Sequence, residues 1–369
     1  MSAFHPEKPY NDLPLLPPVV ELETHRVLKK CIVAHRALAQ LQQAGALIPN
    51  QNVLINTIPL LEAQSSSAIE NIVTTADSLF RYAHDAGAAA DAATKETLRY
   101  RTALQVGYEN LARRPLSTRT AIDVCRTIRN VDMDIRKIPG TALANRVTGE
   151  VIYTPPEGNR LLDLMKNWEQ FIHKQEQIDP LVRMAVMHYQ FEAIHPFTDG
   201  NGRTGRIMNL LFLIEQGLLE IPVLYLSRYI IEHKDDYYRL LLEVTRKNRW
   251  ESWILFMLEA ISQTADWTNA RIRLIRQLLQ HTADYIKVRK PGFYSAELVE
   301  VIFTQPYCRI GNLVDTGIVK RQTASTYLKQ LCEIGVLEEI KAGREKLFMH
   351  PKFIKVLTQD TDGFTEYPH

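Results

Sequence analysis

The chain has 369 residues, of which 46% are hydrophobic and 23% charged. This composition is typical of a globular protein with roughly two or three domains, and it argues against a disordered chain, a fibre or a disulfide scaffold. The 44 basic and 42 acidic side chains nearly balance, which excludes a strong overall attraction to nucleic acid or membrane surfaces. We expect a cytoplasmic protein with reduced thiols, because no signal peptide, membrane span or paired-cysteine motif is visible.

The N-terminal segment is rich in proline, which prevents a regular helix. Its prolines stand at positions 6, 9, 14, 17 and 18. The same segment carries Tyr10, Leu13, Leu15 and Leu16. Two interpretations stay open: a flexible tail, or an extended strap that packs these side chains on the body of the protein.

From about residue 21 onward, apolar residues recur at steps of three and four, which predicts helices. Asp179 before Pro180 is a typical helix start, since the acid caps the helix and proline takes the first helical position. A surface loop is predicted at 83–95, where large apolar side chains are scarce. The predicted helices cover 21–45, 57–70, 74–85, 94–112, 118–131, 160–175, 180–194, 203–216, 234–246 and 250–280.

Residues 143–154 depart from this periodicity. Two short β-rich runs flank Thr148 and Gly149, and Pro155 and Pro156 end the segment. That pattern indicates a β-hairpin. Because an isolated hairpin is only marginally stable, we expect it to lie across the helical body.

Near the C-terminus the pattern changes to short helices followed by two strands. A linker is predicted at 287–295, and the polar end, residues 358–369, is expected to fray. The order of elements is typical of a winged helix. The helices are predicted at 295–303, 308–314 and 320–334, and the strands at 336–341 and 346–350.

The strongest chemical signal is the segment HPFTDGNGRTGR, which runs from His195 to Arg206 between two predicted helices. Its glycines let the backbone approach a ligand, and the N–H groups that begin the second helix favour an anion. Arg203 and Arg206 lie three residues apart at this helix start, where cations are disfavoured. A bound polyphosphate would explain them, with Asp199 as an oxygen ligand for Mg²⁺ and His195 as a general base.

This segment matches the Fic motif, H-x-F-x-[DE]-G-N-G-R-x-x-R, at every fixed position, and the chain resembles bacterial Fic adenylyltransferases over about residues 5–285. The resemblance implies a mainly α-helical Fic core with a β-hairpin flap, followed by a winged helix. It implies transfer of AMP from ATP, with Mg²⁺, to a Ser, Thr or Tyr hydroxyl of a target protein or of the chain itself. The implied domains are 1–110 with an inhibitory helix at about 57–71, 111–285 with the flap 143–154 and the motif 195–206, and 286–369.

The resemblance also implies residue roles. His195 would deprotonate the target hydroxyl, Asp199 would hold Mg²⁺, and the flap would align the target backbone by strand addition. Arg203 would bind the β-phosphate and Arg206 the γ-phosphate. Two tyrosines, 237 and 238, would lie near the adenine, although ordinary core packing explains them equally well. The implied ATP-binding residues are Glu70, His195, Gly200, Asn201, Gly202, Arg203, Thr204, Gly205, Arg206, Tyr237 and Tyr238.

A second motif lies upstream, where Ser66-Ser-Ala-Ile-Glu70-Asn71 matches [ST]-x-x-x-E-[GN]. In the Fic family this pattern marks the inhibitory helix. Ser66 and Glu70 share a helix face, and Asn71 suits a left-handed helix end. The resemblance implies that Glu70 pairs with Arg206 and so takes the guanidinium that the γ-phosphate requires. The alternative is an ordinary capped helix with a solvated acid.

Other functions stay open at this stage. Lys320, Arg321 and Lys329 lie on the predicted recognition helix, but residues 294–369 hold nine basic and ten acidic side chains. Protein docking is therefore favoured over DNA binding for the winged helix. A nucleotide-sensing DNA regulator is disfavoured, since sensing requires no base such as His195. Removal of AMP, with Glu70 positioning a water, and use of another nucleotide are further alternatives. The resemblance implies a homodimer, and we expect no membrane partner.

Overall fold

The computed structural model describes residues 4–48, 50–83, 90–145, 148–342 and 345–368. The fold is mainly α-helical, as predicted. The first part of the chain forms α1 (His25–Ala46), α2 (Asn52–Ile55), α3 (Ile58–Ile69), α4 (Ala76–Tyr82), α5 (Ala92–Leu111), α6 (Thr118–Arg129), β1 (Leu143–Ala144), β2 (Val151–Tyr153), α7 (Gly158–Lys174) and α8 (Pro180–Ile194).

The second part contains a helix of 40 residues, Trp250–Arg289, and ends with a small domain. It forms α9 (Asn201–Glu215), α10 (Leu226–Glu232), α11 (Lys234–Lys247), α12 (Trp250–Arg289), α13 (Ala296–Thr304), β3 (Tyr307–Cys308), α14 (Ile310–Asp315), α15 (Arg321–Glu333), β4 (Glu338–Ala342), β5 (Glu345–Met349) and α16 (Pro351–Thr358). No helix of the described residues is both long and apolar enough to cross a membrane. All four cysteines are free.

Helix α8 lies at the centre of the fold and is buried on nearly all sides. It starts as predicted: the Asp179 carboxylate accepts from the Leu181 N–H at 2.8 Å, and Pro180 follows. Two tryptophans fasten it to its neighbours. The indole of Trp168 on α7 and that of Trp253 on α12 donate to carbonyls of α8 at 2.9 and 2.7 Å. The central position explains why α8 lacks a polar face.

Helix α3 is anchored by a buried acid. Glu62 is 1% exposed, and its carboxylate accepts from the Ser227 N–H at 2.8 Å and from the Tyr100 hydroxyl at 3.0 Å. Burial raises the pKa of Glu62, while these donors oppose that rise. The helix that carries the upstream motif is thereby fixed against α5 and α10.

The predicted hairpin is formed by β1 and β2, which pair antiparallel with Leu143 opposite Tyr153. Residues 146 and 147 of its turn lie outside the described residues. The N-terminal segment is a docked strap rather than a free tail. The Tyr10 N–H donates to the Thr154 carbonyl at 2.9 Å, and the Phe4 ring stacks on Tyr153 at 6.0 Å. The strap therefore supports the base of the hairpin.

The C-terminal part has the helix and strand order expected of a winged helix, with its three strands in the order β3–β5–β4. One predicted helix start is wrong: Cys308 belongs to β3 and pairs with Phe348. The turn at 343 and 344 lies outside the described residues. Helix α12 runs without a break to Arg289, so it enters the predicted linker at 287–295.

Three short helices, α2, α10 and α16, were not predicted. The polar C-terminal segment was expected to fray because of its composition, but the structure shows that it does not fray along its whole length. Tyr367 is 4% exposed and stacks on Tyr285 of α12 with ring centroids 4.6 Å apart. The Tyr367 N–H also donates to Nε2 of His281 at 3.0 Å, and Asp360 accepts from the indole of Trp267 at 2.8 Å, so several contacts hold this segment on the body.

Candidate active site

The loop between α8 and α9 is held by its own side chains. His195 ends α8 with φ 50°, in the left-handed region, and its N–H donates to the Phe191 carbonyl at 3.0 Å. The amide of Asn201 accepts from the Phe197 N–H and donates to the Phe197 carbonyl, each at 2.8 Å. Phe197 is fully buried, so it anchors the loop to the core.

The start of α9 offers an anion site. Gly200, whose φ is 86°, precedes α9 as its N-cap residue and has no side chain to cap it, so the first N–H groups of the helix have neither a helical nor a capping partner. A Cβ at Gly202 would lie 2.2 Å from Oε1 of Glu70, so this acid covers the helix start. The motif residues Thr204 and Gly205 are buried, and a Cβ at Gly205 would collide with α8. These two residues therefore serve close helix packing.

Arg203 is 2% exposed and belongs to a network of four charges. Its Nη1 lies 2.6 Å from Oε1 of Glu96 on α5. The same oxygen accepts from Nη1 of Arg129, the last residue of α6, at 2.8 Å, and Nη2 of Arg129 lies 3.1 Å from Oδ2 of Asp199. Burial acts to raise the pKa of Glu96, but Arg203 and Arg129 together hold that pKa below its usual value.

Arg206 is 1% exposed and binds the upstream motif. Its Nε donates to the Ser66 hydroxyl at 2.8 Å, and its Nη2 donates to the Ser66 carbonyl and to Oε1 of Glu70, each at 2.9 Å. Asn71 ends the segment with φ 63°, in the left-handed region as expected. Burial acts to raise the pKa of Glu70, but the Arg206 guanidinium outweighs it, and the pKa is lowered. Glu70 is thus held as a carboxylate on Arg206.

His195 has the protonation state of a base. Burial, with a smaller contribution from the positive charge of Arg136, lowers its pKa to about 4. The imidazole is therefore neutral near pH 7 and can accept a proton. Its Nδ1 has no hydrogen-bond partner among the described residues.

Arg136 is a residue of this site that the sequence analysis missed. It is 7% exposed, its Nε donates to the His195 carbonyl at 2.8 Å, and its Nη2 donates to the Ile194 carbonyl at 3.3 Å. The same Nη2 also donates to the Pro156 carbonyl behind the hairpin. The Arg136 side chain therefore connects the end of the hairpin segment to the backbone of His195. A lone arginine in a loop carries no sequence signal of such a role.

A cavity of about 760 Å³ lies between the hairpin and α11, and Glu70 and Asn71 are among the residues that line it. Tyr238 lines this cavity. Tyr237 does not: it is 1% exposed, and its hydroxyl lies 2.8 Å from Nε2 of His188, so it fits the core alternative. The remaining lining residues are Ile69, Ala142, Leu143, Ala144, Asn145, Ile152, Tyr153, Tyr189, Glu192, Ala193, Lys234, Asp235, Leu241, Leu242 and Thr245.

Asp199 is the motif residue suited to a divalent cation. Its side chain is 56% exposed beside the helix start of α9, and Oδ1 accepts from the Gly200 N–H at 2.6 Å. The described residues contain no group of three or more His, Cys, Asp or Glu that could hold a metal alone. One carboxylate beside an anion site still fits Mg²⁺, because Mg²⁺ commonly binds one or two carboxylates together with substrate phosphates.

Three family models match the chain. The Fic/DOC family N-terminal model matches residues 28–109, and the Fic/DOC family model matches residues 117–213. The C-terminal domain model of the SoFic-like protein adenylyltransferases matches residues 278–353. Together these matches cover the helical core, the motif loop and the C-terminal domain.

Among curated proteins, the chain is 26% identical to a probable protein adenylyltransferase of Aquifex aeolicus, over 39% of this chain and 45% of the relative. It is 32% identical to the protein adenylyltransferase fic-1 of Caenorhabditis elegans, over 23% of this chain and 16% of the relative. The aligned part therefore spans less than half the length of either relative.

Among solved structures, a Fic family protein from Desulfovibrio desulfuricans G20 superposes with a TM-score of 0.54. The two chains are 20% identical, and the match covers 90% of this chain and 98% of the other. At this identity the likeness concerns the fold.

Proposed function

Because the chain belongs to the Fic/DOC family, we propose that it transfers AMP from ATP to a hydroxyl side chain of a protein, with release of pyrophosphate. One observation carries the proposal. A neutral His195 stands beside an uncapped helix start that also holds two buried arginines, Arg203 and Arg206. This arrangement pairs a proton acceptor with a polyphosphate site, which is what nucleotidyl transfer requires.

The reaction follows from these groups. His195 takes the proton from the target hydroxyl as that oxygen bonds to the α-phosphorus, and the bond from the α-phosphorus to the oxygen bridging the β-phosphorus breaks. Pyrophosphate carries the electron pair away. The N–H groups at the start of α9 stabilise the developing negative charge, while Arg203 holds the β-phosphate and Arg206 the γ-phosphate.

Asp199 is the residue that would hold Mg²⁺ on the phosphates. When bound, the ion would neutralise phosphate charge and favour departure of the leaving group. The contribution of the protein is an exposed carboxylate at the edge of the anion site. The same position is compatible with Mn²⁺, which also prefers oxygen ligands.

Glu70 would keep the enzyme inactive. Its carboxylate pairs with Arg206, the side chain assigned to the γ-phosphate, and lies over Gly202 at the start of α9. ATP bound beside Glu70 would place its α-phosphate out of line with the attacking oxygen. A misplacement of about 1 Å costs on the order of 10²-fold in rate.

The hairpin is the proposed docking edge for the target. Its strands are short, at 143–144 and 151–153, and Leu143 and Ile152 line the cavity. An extended target segment would add its backbone to this edge and so bring a hydroxyl to His195. Self-modification within a homodimer belongs to the same proposal, since a second copy of the chain is then the target.

The proposal is tested with ATP carrying ³²P at the α-phosphate, in the presence of Mg²⁺. Four proteins are compared: wild type, Glu70→Gly, Glu70→Gly/His195→Ala and Glu70→Gly/Thr198→Ala. Thr198 lies exposed in the same loop and serves as the matched control. We expect strong protein labelling in Glu70→Gly and in the Thr198 control, little in wild type and none without His195.

A mixture of proteins from a cell extract is added in parallel, so that a foreign target is also labelled. Equal labelling with and without His195 would contradict its role as the base. Absence of label in every protein, with and without extract, would contradict the transfer reaction itself. Retention of the label after denaturation distinguishes covalent AMP from bound nucleotide.

A further inference from the structure

Two side chains outside the motif, Glu96 and Arg129, complete the charge network beside Asp199. Glu96 accepts from both arginines of the network, at 2.6 Å from Arg203 and 2.8 Å from Arg129. Arg129 in turn lies 3.1 Å from Asp199. The four charges sum to zero, so the candidate cation ligand already has a cationic partner within the chain.

The two arginines differ in their freedom to move. Arg203 is 2% exposed and is fixed between α5 and α9, and it lies 3.9 Å from Asp199. The side chain of Arg129 is 31% exposed, and Asp199 is 56% exposed. Arg129 can therefore leave Asp199 and be solvated, whereas Arg203 cannot.

Both oxygens of Asp199 are engaged. Oδ1 accepts from the Gly200 N–H at 2.6 Å, and Oδ2 faces Nη2 of Arg129. A cation that binds Oδ2 therefore competes with the guanidinium of Arg129 for the charge of this oxygen. Glu96 moderates this competition, because it binds Nη1 of Arg129 and shares the charge whose other nitrogen, Nη2, faces Asp199.

We propose that Arg129 competes with the divalent cation for Asp199 and that Glu96 weakens this competitor, so that the Glu96–Arg129 pair sets the cation affinity of the site. The inference rests on the proposed function, since it takes Asp199 as the cation ligand. Glu96 and Arg129 act here as positioning residues. They set the availability of Asp199 without contacting the reacting atoms.

The proposal predicts opposite effects of two substitutions. Arg129→Met removes the competitor and should tighten cation binding roughly two- to fivefold, the range of a partly exposed ion pair. Glu96→Gln leaves Arg129 with Asp199 as its remaining carboxylate partner and should weaken cation binding by a similar factor. The double variant should resemble Arg129→Met, because Glu96 acts through Arg129. A purely structural role would weaken binding in both single variants.

The measurement is Mn²⁺ binding to the full chain in saturating ADP, with free Mn²⁺ read from its electron paramagnetic resonance signal. ADP is chosen because it lacks the γ-phosphate that Glu70 would oppose. Asp199→Asn identifies the ion bound at this site. Arg126→Met is the matched control: Arg126 lies on the same helix and pairs with Asp132 at 3.1 Å, so its loss removes an equal charge.

Opposite shifts for Arg129→Met and Glu96→Gln, with little change for Arg126→Met, would support the proposal. Unchanged or weaker binding in Arg129→Met would overturn it, and so would an equal tightening in Arg126→Met, which would indicate general electrostatics. Thermal unfolding shows whether Glu96→Gln folds. If it does not, the cation affinity of Arg129→Met alone decides the proposal. If wild type holds no Mn²⁺ that Asp199→Asn removes, the cation site of the proposed function fails together with this inference.

Discussion

Replacing Glu70 with glycine is expected to tighten the binding of ATP while leaving ADP nearly unchanged. Oε1 of Glu70 lies 2.9 Å from Nη2 of Arg206, the group assigned to the γ-phosphate. ADP has no γ-phosphate and does not require this guanidinium. The difference between the two nucleotides therefore reports on what Glu70 displaces.

The magnitude follows from the bonds of Arg206. A charge-assisted hydrogen bond contributes about 1.5–3 kcal/mol, which corresponds to roughly ten- to a hundredfold in ATP affinity. Without nucleotide the variant should be less stable. Breaking a buried pair costs about 3–5 kcal/mol, but Glu70 is 29% exposed and Arg206 keeps two bonds to Ser66, so we expect a loss of about 1–2 kcal/mol.

Isothermal titration calorimetry measures binding without transfer. The ligands are ADP and an ATP analogue that has a methylene bridge between the α- and β-phosphorus. Thermal unfolding of the same samples follows stability. Asp235→Asn is the matched control, since Asp235 is an exposed acid that lines the same cavity. Equal tightening of ADP would refute the reasoning, because Glu70 would then exclude the whole nucleotide, and unchanged affinity for the ATP analogue would refute it as well.

Three further predictions concern stability and inhibition. Ser66→Ala removes the hydroxyl that accepts from Arg206 Nε, so we expect about 1–2 kcal/mol less stability and self-labelling between that of wild type and Glu70→Gly, measured by urea unfolding and ³²P transfer. Tyr153→Phe removes a 2.7 Å hydrogen bond to a buried carbonyl of α8. It should lower the free energy of unfolding by about 1–2 kcal/mol, which urea unfolding would show as a lower midpoint. Burial lowers the pKa of His350 to about 3 from its ordinary 6.5. As the pH drops below 6.5, His350 therefore takes up a proton in the unfolded chain but not in the folded chain, and the free energy of unfolding falls. Between pH 7 and pH 5, the free energy of unfolding of His350→Asn should therefore fall by about 2 kcal/mol less than that of wild type, as measured by urea unfolding. An equal fall in both proteins would contradict the low pKa assigned to His350.

Several features could be predicted because their signals act over a few residues. Asp179 and Pro180 set the start of α8, and the predicted end at residue 194 is confirmed. The motif from His195 to Arg206 indicated an anion site because a helix end, a glycine-rich turn and a helix start are contiguous in the chain. The short helices α2, α10 and α16 were missed, since segments of four to eight residues carry little periodicity.

The tertiary structure decided which side chains the residues of the site contact. Glu96 and Arg203 are 107 positions apart, and their 2.6 Å contact exists because α5 packs beside α9. Adjacent tyrosines have opposite surroundings, with Tyr237 in the core and Tyr238 on the cavity, because successive side chains of a helix point about 100° apart. Local sequence determined the helices and the chemistry of the motif, whereas the ion pairs that occupy the motif depend on how distant helices pack. The Glu70–Arg206 pair was implied by the family resemblance, but no short-range pattern encodes the Glu96 network.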